Sequence, residues 1–321
     1  MVVDVFPFFR EFDLLELRLA TLDSLVDRFV LVEGTRTFSG QPKPLWFAEQ
    51  RERYAKWLPK IRHIVVEDWP DTPDPWLYES HQRNAGARGL DDLPDDAQLI
   101  VSDLDEIPNP AALTRAFALP GVKWLSMRDF RMFVNAASAE KPLWFGSPKL
   151  LTCGEFRRTA DLRRFKYCKF APEAGNRGAS LVKVRRMKDS ALVRDAGWHF
   201  SFLGGIEEIT RKIQAYSHQE RNRPDFLEVG RLKRLLAEGR TVNGRRLLMV
   251  PLESLGLPPA AREVIARCPD MVAPLQEPSV RAELTRLAAR MEARQRRSWV
   301  YLSRSLRAFF AARGIRLPTS R

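Results

Sequence analysis

Asp103 and Asp105 stand one residue apart directly after an apolar run, Leu99-Ile100-Val101. Such a run reads as a buried strand, and residues two apart in an extended chain point to the same side. Two carboxylates on one side are hard oxygen donors that suit a divalent cation such as Mn or Mg. A cation held there could in turn hold phosphates. In an open α/β sheet, ligands sit at the carboxyl ends of the strands, which is where these acids fall. The same spacing also occurs in solvated turns, and Pro108 and Pro110 offer the plainer reading of a polar loop entering a helix.

Other residues could complete such a site. Gln82-Arg83-Asn84 precedes the acidic strand, and Arg with Asn supplies forked donors to a pyrophosphate or a base edge. Gly204-Gly205 follows an apolar segment, Trp198 to Leu203, and leads into Glu207 and Glu208. Glycines let a backbone approach a ligand closely. Acids in a first helical turn are favoured by the helix dipole whatever else they do, yet a carboxylate beside a ligand loop can also serve as a general base. His199 and His218, two of four histidines, flank that helix, and either is a possible nitrogen ligand beside the two acids. A histidine among aromatics is also a common core residue. Trp46, Trp69, Trp76 and Trp144 lie in or near expected loops, where aromatics stack on sugar faces or plug cores. The chain carries no nucleophile elbow, phosphate-binding P-loop or dinucleotide fingerprint.

The elements that must position these residues alternate. Val2 to Phe6 and Phe29 to Glu33 read as strands around a leucine-rich helix, Leu14 to Leu22. A Gly- and Pro-containing connection, Gly34 to Pro44, leads to a helix over Ala48 to Trp57, a strand at Ile61 to Val66 and a helix from Trp76 to about Gly89. Leu99 to Ser102 then carries the acids. Strand-helix alternation predicts a mainly parallel α/β sheet flanked by helices. Lys123 to Met127 and Phe130 to Asn135 are close enough to pair as a hairpin, which predicts a mixed sheet. Ala191 to Phe202 reads as one strand, followed by a helix from Ile206 to Ser217. Proline and glycine from Pro251 to Pro259 mark an expected boundary between a catalytic domain, residues 1–250, and a helical extension, 251–321.

With 45% hydrophobic residues in 321, the chain has material for a substantial core. Three scattered cysteines, an odd number without ligand spacing, indicate neither a disulfide framework nor a zinc site. The start, Met1-Val2-Val3-Asp4, lacks a basic leader, so the expectation is a cytoplasmic protein. The net charge of +13 is concentrated late: from Arg281 onward eleven arginines face only Glu283 and Glu292. Interleaved with leucines and aromatics, that tail reads as a basic amphipathic helix. It would cover the protein's own core or lie peripherally on an anionic membrane at the inner face. Charge confined to a tail gives no nucleic-acid groove, so no nucleic-acid partner is expected.

Several stretches, taken together and in order, resemble glycosyltransferase family 17. They are Asp4 to Leu19, Phe29 to Glu33, Thr37 to Gly40, Lys43 to Leu45, Gln82 to Asn84, Ser102 to Pro108 and Gly197 to Gly205. The resemblance implies a GT-A-like fold, a UDP-sugar donor of the UDP-GlcNAc type, and inverting, metal-dependent transfer to the hydroxyl of a glycan or glycolipid acceptor. It assigns Mn2+ (or Mg2+) and the donor diphosphate to Asp103 and Asp105. Donor contacts fall to Glu33, Arg83, Asn84, Gly204 and Gly205. The late metal-binding histidine falls to His218, with His199 as rival, and the base to Glu207, with Glu208 and Asp195 as rivals. Two other classes remain open on the residues alone: a phosphohydrolase of the haloacid dehalogenase type, which also sets Asp-x-Asp after a strand, and a basic nucleic-acid-binding protein.

Overall fold

The computed structural model describes residues 1–144, 148–157 and 190–275. Val2–Phe8 forms β1, whose alternate side chains serve two cores, Phe6 and Phe8 one and Val3 and Val5 the other. Helix α1 (Phe12–Leu22) buries Leu14, Leu15, Leu17 and Leu19 on the Phe6 side and leads to β2 (Arg28–Gly34). A single helical turn, α2 (Trp46–Glu49), runs into 3-10 turns over Arg51–Lys60, where a continuous helix was expected. Tyr54 interrupts the helical backbone there, and Pro59 lacks the N–H that a longer helix would need. After β3 (Ile61–Val66), α3 (Pro75–Ala85) starts with Pro75 at its first position. Its N-cap Asp74 accepts from the Trp76 N–H at 2.9 Å. Strand β4 (Gln98–Val101) returns on the far side of β1.

From Ser102 the chain leaves this sheet and enters a second one through β5 (Glu106–Pro108), then α4 (Pro110–Ala116). The following strands are β6 (Val122–Leu125), β7 (Met127–Arg131), β8 (Ala136–Ser138), β9 (Leu143–Trp144) and β10 (Lys149–Thr152). Beyond α5 (Cys153–Arg157) come β11 (Ser190–Val193), β12 (Gly197–Ser201), α6 (Gly205–Ala215), α7 (Pro224–Leu227), α8 (Val229–Ala237), β13 (Leu247–Met249) and α9 (Pro259–Arg267). Among the described residues the first sheet has the order β11-β6-β10-β4-β1-β2-β3, parallel except for β10. The second runs β13-β8-β7-β12-β5, with β9 beside β7. The first sheet is the mainly parallel one, flanked by helices, that the alternation predicted; the second is mainly antiparallel, which makes the α/β architecture mixed.

Two expectations fail for one reason. Segments 123–127 and 130–135 do not pair as a hairpin, because β6 stays in the first sheet while β7 joins the second. Ser126 is the crossing point, its N–H bonded to the Val193 carbonyl at 2.8 Å and its carbonyl accepting from Ala196. Likewise 191–202 is two strands, β11 and β12, split where Asp195 takes a positive φ of 49°. The chain changes sheet twice at the same place.

The boundary expected at 250/251 also moves. Leu255, Leu257, Ala261, Val264 and Ile265 join the core that α1 lines, so the compact unit runs from Met1 to Ala273. The expected helical tail lies outside the described residues. Among those described, no helix is long and apolar enough to cross a membrane.

Gly197 fixes how β12 meets β5. Its φ is 148°, and a Cβ there would lie 2.1 Å from the Ile107 carbonyl oxygen and 2.7 Å from Pro108 Cα. Backbone cannot yield as a flexible side chain would. Gly197→Ala is therefore expected to cost about 3 kcal/mol or more, read as a lower urea midpoint at unchanged slope.

Candidate active site

The order β4-β1-β2-β3 places a topological switch between β1 and β4. The chain proceeds from β1 outward through β2 and β3, then returns to the other side of β1. Ala85 of α3 packs on the Val3 and Val5 face, opposite to α1. A crevice opens at the carboxyl ends of the two strands where such a reversal occurs. The turn after β1, Phe9 to Glu11, and the turn after β4, Ser102 to Asp105, frame it.

The acidic turn is moulded around a buried arginine. Arg18, in the middle of leucine-rich α1, makes a two-point pair with Asp4 at 2.8 and 2.6 Å, both side chains fully buried. Its remaining N–H groups donate to the carbonyls of Asp103 (2.8 Å), Leu104 (3.2 Å) and Glu106 (2.9 Å) and to Ser102 Oγ (2.6 Å). The turn is thus held through its backbone, with the Asp105 carbonyl accepting from the Phe200 N–H at 2.7 Å. The Asp103 N–H donates to Glu106 Oε2 at 2.7 Å, closing the turn.

Around these carboxylates the structure gathers cations and a histidine. Arg83 bonds Asp103 and also Glu79, at 3.1 Å. Burial opposes its charge, yet Asp103 and Glu79 hold it above the ordinary arginine value. Lys212 of α6 lies 3.0 Å from Asp105 Oδ2 and 3.0 Å from Glu11 Oε1. Burial works against the ionised form of Asp105, but Lys212 and His199 outweigh it and hold this carboxyl below the usual range. Glu106 moves the other way. Burial, with Asp103 and then Asp105 nearby, pushes it up against the pull of His199.

His199 is the histidine that the fold delivers. Strand β12 pairs with β5 so that His199 is opposite Glu106. Its Nδ1 bonds Asp129 Oδ1 at 2.7 Å, and its Nε2 faces Asp105 Oδ1 at 3.8 Å. Trp144 stacks on the ring at 4.2 Å and donates Nε1–H to Glu106 Oε1 at 2.5 Å. Asp129 also accepts from Arg131 at 2.9 Å. Burial alone would raise its carboxyl, but His199 and Arg131 draw it below the ordinary value.

The other expected site residues fare unevenly. His218 makes its contacts elsewhere: its Nδ1 bonds Glu220 at 2.8 Å and its ring meets Trp76 edge to face. Asn84, one step along α3 from Arg83, is exposed. Gln82 is structural, donating to the Val32 carbonyl at 2.8 Å. Glu33 is wholly buried, accepting from the Phe47 N–H at 3.1 Å and contacting His63 at 3.1 Å and Lys43 at 3.6 Å. It anchors the loop before α2, and burial holds Lys43 below the ordinary lysine value despite Glu33. Gly204 and Gly205 have φ of 91° and 76°, the left-handed turn that starts α6. Glu207 is 84% exposed and pairs with Arg211 at 3.3 Å, whereas Glu208 is one-third exposed and lies 3.6 Å from Arg10 in the turn after β1. Asp195 sits exposed before β12, in the turn that precedes Gly197.

Four participants were not singled out from sequence: Lys212, Asp129, Glu11 and the Arg18–Asp4 pair. The last had a signal, since an acid inside Val2-Val3-Asp4-Val5-Phe6 and an arginine among leucines call for each other. Among the described residues, no three His, Cys, Asp or Glu side chains are grouped so as to hold a metal ion. Asp103 is turned onto Arg83 and Asp105 onto Lys212 instead.

Fold and site together define an α/β protein with a cluster of carboxylates, Arg83, Lys212 and His199 at a sheet switch point. Residues 1–144 and 177–251 match the model of glycosyltransferase family 17, and the chain belongs to that family. The rat β-1,4-mannosyl-glycoprotein 4-β-N-acetylglucosaminyltransferase is 30% identical over 136 residues, 40% of this chain and 24% of that protein. The human protein of the same name is 30% identical over 128 residues, 37% of this chain and 22% of its own. The chain thus spans about a quarter of the length of these relatives. An active-site mutant of LgtC is similar at a TM-score of 0.32 with 12% identity, covering 60% of this chain and 72% of that one. The galactosyltransferase LgtC with donor and acceptor sugar analogues gives 0.28 and 14%, covering 59% and 66%.

Proposed function

We propose that the crevice is the donor site of a GT-A-like, inverting glycosyltransferase. It moves a sugar, GlcNAc by analogy with the relatives' name, from a UDP-sugar to a hydroxyl of a glycan or glycolipid. The observation that carries this reading is the meeting of Asp103, Asp105 and the Asp129–His199 pair with Arg83 and Lys212 at the carboxyl ends of β1 and β4. Asp103 and Asp105 carry the oxygen donors and His199 the nitrogen that a divalent cation takes, and a cation would have to displace the Arg83 and Lys212 pairs to bind them. Nδ1 of His199 is taken up by Asp129 and Nε2 faces Asp105 Oδ1 at 3.8 Å, so a neutral His199 would offer its second nitrogen beside that carboxylate. Asp103, Asp105 and His199 would hold Mn2+ or Mg2+, which offsets charge on a leaving diphosphate when bound. His218 takes no part.

The chain's own residues supply the rest. Arg83 contributes fixed positive charge beside Asp103, and the Arg18 contacts keep the turn from reorganising as charge shifts. Glu208 is one turn before Lys212, so both share a face of α6. Lys212 reaches Asp105, and Glu208, half-buried beside Arg10 in the turn after β1, is the candidate base on that side of the helix. It takes the proton of the attacking hydroxyl, and inversion follows from a single displacement. Glu207, at 84% exposed, does not, although Arg211 pairs with both glutamates. Glu208→Gln is accordingly expected to lower turnover about 10²-fold or more with donor affinity unchanged, while Glu207→Gln stays within twofold. Steady-state kinetics on both variants decide the assignment, and the reverse pattern would return the role to Glu207.

A thermal-shift screen of nucleotide sugars with and without MnCl2 tests the whole reading. A UDP-sugar at a hundred times its Kd should add about 2.7 kcal/mol of stability, in the presence of Mn. Failure of every nucleotide sugar to stabilise the protein under either condition would overturn it.

A further inference from the structure

Arg83 is gripped at two ends. Its Nε and Nη2 each lie 3.1 Å from Glu79 Oε1, one turn earlier on α3, while its Nη1 reaches Asp103. Glu79 is buried, and its other oxygen, Oε2, accepts from the Ser217 hydroxyl. Ser217 is buried too and stands two residues beyond the end of α6. The same end of α6 is tied to the loop after β2, where the Ser39 N–H donates to the Ala215 carbonyl at 3.2 Å. A carboxylate on α3 thus joins the helix that carries Glu208 and Lys212 to the arginine beside Asp103.

Helix stability does not account for this arrangement. A glutamate four residues before an arginine adds only about 0.2–0.5 kcal/mol to an exposed helix. Replacing a buried ion pair by apolar side chains of similar volume is often neutral or stabilising. What an apolar pair would not do is aim a guanidinium. The arginine stem turns about several bonds, and its planar fork directs charge only once one edge is fixed. Glu79 takes the edge made by Nε and Nη2, which leaves the Nη1 end pointing to Asp103. The Ser217 hydroxyl in turn limits rotation of the Glu79 carboxylate.

We propose that Glu79, held by Ser217, is a positioning residue that aims Arg83 in the transfer site. This rests on the reading of the crevice as a donor site. The test is UDP release from UDP-GlcNAc in MnCl2, with water as the acceptor, for the wild-type protein, Glu79→Met, Glu79→Gln, Arg83→Met and the Glu79→Met, Arg83→Met double variant. Glu79→Met should lower kcat about 10- to 100-fold and keep KM within about twofold. Glu79→Gln, which keeps an oxygen for the Nε and Nη2 edge, should recover most of that loss. The double variant should be no slower than Arg83→Met, because Glu79 acts through Arg83. An unchanged kcat in Glu79→Met, or losses that multiply in the double variant, overturns the proposal and leaves Glu79 a structural tie between α3 and α6. If Glu79→Met does not fold by circular dichroism, Ser217→Ala replaces it in the same cycle, with a loss of about threefold or more that vanishes in the Arg83→Met background. A loss that persists there overturns the proposal equally. A wild-type protein that releases no UDP refutes the role as stated. Stabilisation by UDP-GlcNAc in the thermal-shift screen would then confine the failure to Glu79 and Arg83, and its absence would extend it to the donor reading.

Discussion

Asp105→Ala is expected to remove transfer activity, by about 10²-fold or more, while the chain stays folded. The carboxylate lies where three elements converge: Lys212 from α6, His199 from β12, and the turn that Arg18 holds. Loss of a group that orients a metal or its ligand costs about 10–100-fold even at one remove, and Asp105 is one of the residues proposed to hold the cation. The fold survives because the Arg18 contacts to this turn run to backbone carbonyls and Ser102 Oγ, not to the Asp105 side chain. Lys212 also keeps Glu11. Once the burial cost is outweighed by Lys212 and His199, Asp105 titrates below the ordinary carboxylate range. It is ionised throughout about pH 5 to 8, so the deficit should be constant across that interval. Turnover measured with and without added Mn, alongside the far-UV spectrum and melting temperature, checks this. Full activity in the alanine variant would remove Asp105 from the site.

The parts of this structure legible in sequence are those whose information is local. The alternation of β1, the leucine spacing of α1 and the apolar run of β4 each specify an element within a few residues. Asp103 and Asp105 could be singled out from their place after an apolar run, though that spacing alone also fits a solvated turn. The second sheet was illegible for the opposite reason: β5, β8 and β13 have three residues each, too few to show a period, and their partners lie far away in sequence. The Ser126 and Asp195 crossings depend on hydrogen bonds between segments some 70 residues apart. The choice of His199 over His218 and of Glu208 over Glu207 follows the same logic. Glu207 and Glu208 are adjacent and alike in sequence, and it is the pairing of β12 with β5 that sets His199 opposite Glu106. Lys212 and Asp129 become site residues through that convergence alone.

Arg18→Met should be the most destabilising single change in the crevice, at about 3–5 kcal/mol. The substitution keeps the volume of the side chain roughly and removes its charge, so Asp4 remains inside the protein, fully buried, with neither cation nor water. Three carbonyls of the acidic turn and Ser102 Oγ lose their donor at the same stroke, and an unpaired buried polar group costs about 1–3 kcal/mol. The penalty is one of incompleteness, which makes it separable by a double-mutant cycle. Asp4→Val alone should also destabilise, by stranding Arg18 among Phe6 and the leucines, whose ring lies 4.6 Å from the guanidinium. The Asp4→Val, Arg18→Met double variant should be more stable than the sum of the single losses predicts, because two matched apolar groups strand no charge. Urea unfolding of the four proteins measures the coupling. The double variant should nevertheless bind donor poorly, since nothing then holds the Asp103 and Leu104 carbonyls. Additive losses in stability, or a double variant with intact donor binding, would show that the Arg18–Asp4 pair neither completes the core nor shapes the acidic turn.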